Sequence, residues 1–365
     1  MHFIGKASAA LLMALSMSVP LGAREAVMTG DLARKDARPL ENTAGLETEY
    51  GVVTMPDGVR LRSIVTRPEG ARGPLPAVFF AQWVSCGSIE FRAERPNTLR
   101  DIAQRSGLAL IRVERAGTGD SEGPACSALD YDTEVAHYRA ALDQLSRHRW
   151  IDSDRIVIYG SSLGSTTAPL IAEGRRIAGI VVQGGGALTY LERMIQFDRI
   201  NLERAGKMPP DRIHGEMLKR IAFQQHYLIG RKTPSRIAAE NPELKGVWES
   251  LLGTEPGSHY GRPFAWHWQA ADKDFLAAWT RIAAPVMVVY GEYDQYETRH
   301  GHRLIVDTVN ALRPGGATWL EIPGGSHDLE IFPSAIAAYR DEGGRSAPER
   351  FTEPVIAWLK RVTAR

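Results

Sequence analysis

The sequence predicts an α/β fold: a mostly parallel sheet of eight strands, helices on both faces, and a helical cap inserted late in the chain. Three observations predict it. Short, wholly apolar runs such as Ala77-Val78-Phe79-Phe80-Ala81 and Val286-Met287-Val288-Val289-Tyr290 read as strands buried on both faces, the condition of strands in a parallel sheet. Segments with helical spacing alternate with these runs, as they do when crossover helices return the chain to the same sheet. The rhythm breaks once, over residues 190–282, where about ninety residues carry no clear strand pattern.

The elements follow in order. Residues 47–66 alternate around Met55-Pro56-Asp57-Gly58 and predict an antiparallel hairpin. The third strand is 77–81, with a helix near Thr98–Arg105 after it. A fourth strand over Leu108–Val113 leads into a tight glycine loop, RAGTGDSEG, at 115–123. In Tyr131–Arg147, Val135, Tyr138, Leu142 and Leu145 share one helical face. Ile156–Tyr159 is a strand running into Gly160-Ser161-Ser162-Leu163-Gly164 and a small-residue helix, and Ile177–Val182 is the sixth strand. In the cap, Met217, Ile221, Gln224 and Leu228 fall on one helical face, and Pro209-Pro210, Pro234 and Pro242 punctuate the segments. The pattern then resumes with a strand at Pro285–Tyr290, a helix at Glu297–Leu312, a strand at Thr318–Ile322 and a closing helix at Glu353–Arg361. The core therefore spans 47–189 and 283–365.

A 365-residue chain that is 44% hydrophobic and 24% charged has an ample core. Its formal net charge of +1 gives no reason to expect a polyanion, so nucleic acid is not an expected partner. Residues 1–23 read as a cleaved secretory signal. Lys6 precedes an apolar run too short for a membrane span, and Leu21-Gly22-Ala23 offers a cleavage site. The expected location is periplasmic or secreted, with no stable membrane insertion once the signal is removed. The only cysteines are Cys86 and Cys126, neither near the signal. Residues 24–46 read as a polar, loosely held lead-in.

The chemistry is carried by the turn at 160–164. A G-x-S-x-G sequence between a buried strand and a helix puts a serine on a strained bend with its hydroxyl exposed. That makes Ser162 a candidate nucleophile. Serine needs a base to take its proton and a carboxylate to orient the base, arriving in the order acid then histidine on loops after late strands. Gly291-Glu292-Tyr293-Asp294 follows one such strand, and Pro323-Gly324-Gly325-Ser326-His327-Asp328 follows the next. Asp294 and His327 are the candidates. Glu292 is the alternative acid, Asp328 is read as stabilising the histidine loop, and His267 as packing or pocket lining. His300 and His302 form an H-x-H pair without an obvious third ligand and read as solvated surface residues, so no metal or other cofactor is expected. The oxyanion donors would be the backbone N–H of Leu163 and one from the loop 82–87, that of Val84 or, alternatively, Trp83.

Taken together, the Pro56-Asp57-Gly58 hairpin turn and the RAGTGDSEG, GSSLG, GEYD and GGSHD stretches resemble the α/β-hydrolase superfamily over about 47–190 and 283–363. Within it, FFAQWVSCGS paired with GTGDSEGPAC is similar to bacterial exported acyl hydrolases and esterases of the dienelactone-hydrolase-like and prolyl-oligopeptidase-like branches. The chain departs from the common pattern twice. Gln82-Trp83 stands where His-Gly is usual after the third strand, and Ser165 where a second glycine is frequent in the elbow. The strand order implied by the resemblance sets the third and fourth strands side by side, and with them a Cys86–Cys126 disulfide.

The resemblance and the triad together imply a serine hydrolase acting on a small-molecule carboxylic ester. Amide, peptide or thioester cleavage is the alternative within the same triad, and a catalytically silent binding protein the alternative outside it. The cap would shape the pocket. Trp266 and Trp268, with Phe264 and Tyr260, cluster near its end, enough to make an aromatic pocket wall, and Trp83 is a further candidate pocket residue. From 191 to 236 ten Lys/Arg stand against five Asp/Glu, a basic stretch read as an exposed helical face. Acyl-chain length and oligomeric state are not encoded in any of these patterns.

Overall fold

Pro56, Asp57 and Gly58 reverse the chain between two strands paired from Leu46↔Pro68 to Thr54↔Arg60. Gly58 takes the positive φ (83°) that the turn requires, and the Asp57 carboxylate accepts from the N–H of Val59. This hairpin opens the central sheet in a computed structural model that describes residues 26–91, 97–205 and 208–364. The predicted signal, residues 1–23, lies outside the described residues.

The sheet has nine strands: β1 (Val27–Met28), β2 (Leu46–Thr54), β3 (Arg60–Pro68), β4 (Leu75–Ala81), β5 (Ala109–Val113), β6 (Ile151–Ser161), β7 (Gly179–Gln183), β8 (Val286–Gly291) and β9 (Ala317–Ile322). Their order is β1-β2-β3-β5-β4-β6-β7-β8-β9, with every pair from β5 to β9 parallel. Eight of the nine are the predicted strands. The ninth, β1, comes from the lead-in and pairs parallel to β2.

That lead-in is not loosely held. Its charges are partnered in the fold. Glu41 and Arg112 form an ion pair with both side chains essentially solvent-free, Arg34 bonds to Asp120 and Glu90, and the N–H of Lys35 donates to Asp120. The Arg62 guanidinium, also buried against Asp120, donates to the carbonyl of Leu32. Most of residues 26–45 are exposed, yet Glu41 is buried and several of their charges are tied to the sheet and its loops.

Alternate residues of each central strand enter two core layers. In β4, Ala77, Phe79 and Ala81 join one layer, and Val78 and Phe80 the other. The first layer is closed by helices Tyr131–Leu145, Leu163–Ala172 and Arg299–Leu312, the second by Thr98–Ser106 and Glu349–Thr363.

Between β7 and β8 the chain builds helices Tyr190–Ala205, Pro210–Gln224, Pro234–Glu240, Val247–Ser250, Phe264–Ala271 and Phe275–Thr280. It also contains a small antiparallel sheet of two-residue strands, Thr254–Glu255, Ser258–His259 and Arg262–Pro263, which no strand pattern announces. Met217, Gln224 and Leu228, on the face anticipated for the cap helix, are buried. Among the described residues no helix is long and apolar enough to cross a membrane.

Candidate active site

Ser162 sits between the end of β6 and the first residue of the helix Leu163–Ala172, with φ 53° and ψ −118°. A non-glycine residue in that region is strained and persists only where its surroundings enforce it. Here they do. A Cβ on Gly164 would lie 2.0 Å from the carbonyl oxygen of Ala81, and one on Gly160 would lie 2.3 Å from that of Gly164. The Ser162 N–H donates to the Gln183 carbonyl at 2.7 Å, and the Ser165 hydroxyl bonds to the carbonyls of Gly160 and Gln183. Ser165, the departure from the commoner glycine, therefore cross-links strand and elbow.

The loops after β8 and β9 bring Asp294 and His327 to this bend. Ser162 Oγ lies 2.8 Å from His327 Nε2, and His327 Nδ1 lies 3.0 and 2.9 Å from the two Asp294 oxygens. With Nδ1–H donating to the carboxylate, Nε2 is left to accept the serine proton. Asp294 Oδ1 also accepts the backbone N–H groups of Tyr296 and Glu297. The Gln183 side chain donates to the His327 carbonyl and accepts from Ser161, so the last residue of β7 ties elbow to histidine loop. The signal for that role was a polar residue closing an apolar strand.

Burial disfavours a charged imidazole at this position. The Asp294 carboxylate and its hydrogen bond, with the charges of Asp328 and Glu297, outweigh burial and raise His327 to about 9. Asp294 is held below its ordinary value: burial opposes its charge, but His327 and the bonds to it prevail. Asp328 itself is exposed and stands at the cavity edge.

Two ties run from the cap to the acid loop. Arg193, on helix Tyr190–Ala205, donates to Glu297 at 2.9 Å in a buried ion pair, and Arg204 donates to the Asp294 carbonyl at 3.0 Å. The basic stretch read as an exposed face thus contributes at least these two partnered arginines.

A cavity of about 340 Å³ opens beside Ser162. Trp83, Val84 and Leu163, which carry the candidate oxyanion N–H groups, line it together with Trp266, Phe197 and Tyr260. Trp268 does not. Two residues from Trp266 on one helix, it is rotated by about 200° and packs on Phe264 instead.

The competing residues are placed elsewhere. Glu292 is exposed and accepts the Gly324 N–H. His267 is buried, accepting from the Tyr190 hydroxyl at Nδ1 and donating to the His259 carbonyl from Nε2, and burial keeps it neutral. His300 is exposed, but His302 is not the solvated residue expected. It is fully buried, its Nδ1–H donates to the Thr298 carbonyl, and its ring lies 4.9 Å from that of Tyr290. Among the described residues, no group of three or more His, Cys, Asp or Glu could hold a metal ion.

Cys86 and Cys126 form a disulfide with Cα atoms 5.7 Å apart, linking the loops after the paired strands β4 and β5. It closes a loop with a sequence separation of 40. In the chain-entropy treatment such a link stabilises by about 4 kcal/mol. The Cys86→Ser/Cys126→Ser protein is expected to lose that amount, read as a lower denaturant midpoint with a somewhat steeper slope, because the released denatured chain exposes more surface.

A profile of the alpha/beta hydrolase family matches residues 83–339. Esterase FrsA of Serratia proteamaculans is 23% identical over 207 residues, 53% of this chain and 45% of that protein. Polyketide transferase ATR5 of Stachybotrys chlorohalonatus is 34% identical over 112 residues, 30% of this chain and 34% of its own. The matches thus span less than half the length of these curated relatives. Among solved structures, the Pyrococcus furiosus esterase Pf2001 aligns with a TM-score of 0.53 at 14% identity, covering 92% of this chain and 100% of that one. Est1E of Butyrivibrio proteoclasticus, with ferulic acid bound, aligns with a TM-score of 0.55 at 15% identity, covering 85% and 98%. At those identities the likeness is one of fold. The family profile spans well over half of the sequence, and its match coincides with the elbow and both late loops: the chain belongs to the α/β hydrolase family.

Proposed function

We propose that this protein is a serine hydrolase that cleaves carboxylic esters through an acyl-enzyme. The observation that carries the proposal is the continuous hydrogen-bond chain Ser162–His327–Asp294 at the wall of an apolar cavity. Ser162 Oγ attacks the ester carbonyl carbon while its proton passes to His327 Nε2. Backbone N–H groups of Leu163 and of Val84 or Trp83 hold the oxyanion. The C–O bond to the alcohol then breaks as His327 returns the proton to the departing oxygen. Water attacks the acyl carbon, its proton goes to Nε2 and on to Ser162 Oγ, and the acid leaves. Asp294 fixes the ring tautomer and stabilises the imidazolium. No cofactor takes part in this sequence.

The esterase among the relatives supports the ester reading. The aromatic lining of the cavity supports an apolar acyl or alkoxy group of modest size. The Lys6-led apolar run of residues 1–23 and the Cys86–Cys126 bridge support an exported, small-molecule-processing enzyme. Labelling with a fluorophosphonate probe and peptide mapping, with short acyl nitrophenyl esters assayed in parallel, tests the proposal. The expected result is a single adduct on Ser162 and ester turnover abolished by it. An unlabelled Ser162 with no turnover overturns the hydrolase reading, and labelling with turnover of amides or thioesters alone overturns the ester.

A further inference from the structure

The loop that leaves β4 runs Gln82-Trp83-Val84-Ser85, and two buried arginines hold all four of its carbonyls. Arg115 donates to Gln82 O at 3.0 Å, to Trp83 O, and to Ser85 O at 2.8 Å. Arg262, from the small sheet of the cap, donates to Val84 O at 3.0 Å and to Cys126 O at 3.2 Å. One carboxylate holds both. Glu134, near the start of helix Tyr131–Leu145, bonds to Arg115 Nε at 2.6 Å and lies 3.1 Å from Arg262 Nη2. The Trp266 indole N–H, also from the cap, donates to the same carboxylate at 3.2 Å. Arg115, Glu134 and Arg262 are each no more than 3% exposed. Burial opposes the charge of Arg262 and lowers it to about 10, with Glu134 acting against that fall, so it remains a cation at neutral pH.

The chemistry of the peptide bond gives this clamp a consequence. In a trans peptide the carbonyl and the N–H of the next residue point in opposite directions, and the described residues contain no cis peptide. Holding Gln82 O and Trp83 O against Arg115 therefore turns the N–H groups of Trp83 and Val84 to the opposite side of the loop. These are the two residues of the loop that line the cavity with Ser162. A peptide free to flip would present a carbonyl oxygen where an oxyanion donor is needed. The sequence has no His-Gly at this strand exit, and the guanidinium clamp supplies the constraint.

We infer that Glu134, Arg115 and Arg262 are positioning residues that set the oxyanion donors of the 82–85 loop, and that Arg262 makes this setting depend on the seating of the cap. The inference rests on the acyl-enzyme reading above. None of the three touches the reacting atoms. Their effect appears where negative charge develops, in the transition state and not in substrate binding.

The test compares Arg262→Gln and Arg262→Lys with the wild-type full chain in kcat, KM, thermal midpoint and affinity for a trifluoromethyl ketone, which forms a tetrahedral oxyanion on the serine. The product acid serves as a planar control ligand. Arg262→Lys keeps the cation beside Glu134 but not the fork that reaches two carbonyls, so it guards against a Gln variant that fails to fold. The expected result is a fall in kcat of about tenfold for Lys and about a hundredfold for Gln, on the scale of a misplaced catalytic group. KM and product affinity stay within about twofold, and ketone affinity falls in parallel with kcat. A folded Lys variant with unchanged kcat and ketone affinity overturns the clamp. So does a variant in which KM and product affinity worsen as much as kcat. Fluorophosphonate labelling of the wild type separates the two proposals: an unlabelled Ser162 defeats the acyl-enzyme reading, whereas a labelled wild type beside an unaffected Arg262 variant defeats the clamp alone.

Discussion

Ser162→Ala is expected to lower kcat by about 10⁶-fold, the scale seen when a triad nucleophile is removed, with little change in the fold. The serine hydroxyl makes one side-chain contact, to His327 Nε2. The elbow that holds its backbone is enforced by Gly160, Gly164, Ser165 and the Gln183 carbonyl, none of which the substitution alters. Alanine at φ 53° inherits the same strain as serine, so the thermal midpoint should move by no more than a surface substitution would move it. Active-site titration must accompany the assay, because a trace of wild-type protein would exceed the residual rate. Full activity in the variant would move the nucleophile elsewhere.

The second large effect is at the acid. Asp294→Asn should lower kcat by about 10⁴-fold and also move the pH profile. The sign follows from the direction of the shift. Only neutral imidazole can take the serine proton, and His327 is raised to about 9, against the pull of burial, chiefly by Asp294. In the wild type kcat/KM therefore falls as pH drops through the raised value, and the acid limb lies above the ordinary imidazole range. Asparagine removes the charge that raises it while burial continues to lower it, so the limb must shift to lower pH as the plateau falls. An acid limb that stays in place, in a variant that folds, would show that another group sets it.

The residues of the proposed triad were legible as candidates because each follows an apolar strand long enough to recognise. Val286–Tyr290 delivers Asp294, and Thr318–Ile322 delivers His327, so chain order alone narrowed the choice. His302 was misread although its pattern was present: His302, Ile305, Val306 and Val309 form one buried helical face. Reading it, with His300, as a solvated surface residue ignored that spacing. Trp268 was grouped with Trp266 by proximity in sequence, which on a helix separates side chains instead of joining them. β1 has two residues, too few for any periodicity to register. The arginine clamp was hidden for a different reason. Its acceptors are main-chain carbonyls, which every residue has, and Arg262 lies 136 positions from Cys126 and 178 from Val84.

The ties between helix Tyr190–Ala205 and the acid loop bear on how such an enzyme can diverge. Arg193 grips Glu297, whose N–H is bonded to Asp294, and Arg204 grips the Asp294 carbonyl. A cap is commonly thought of as an exchangeable module, replaced to change what the core accepts. In this chain a graft that discards the insertion would also strip the scaffolding from Asp294, the carboxylate proposed to orient the base, and would leave Glu297 as a buried charge without its counter-ion. New substrate range is more readily reached by altering Phe197 or Tyr260 in place than by transplanting another cap, unless the transplant brings its own arginines to the same two positions.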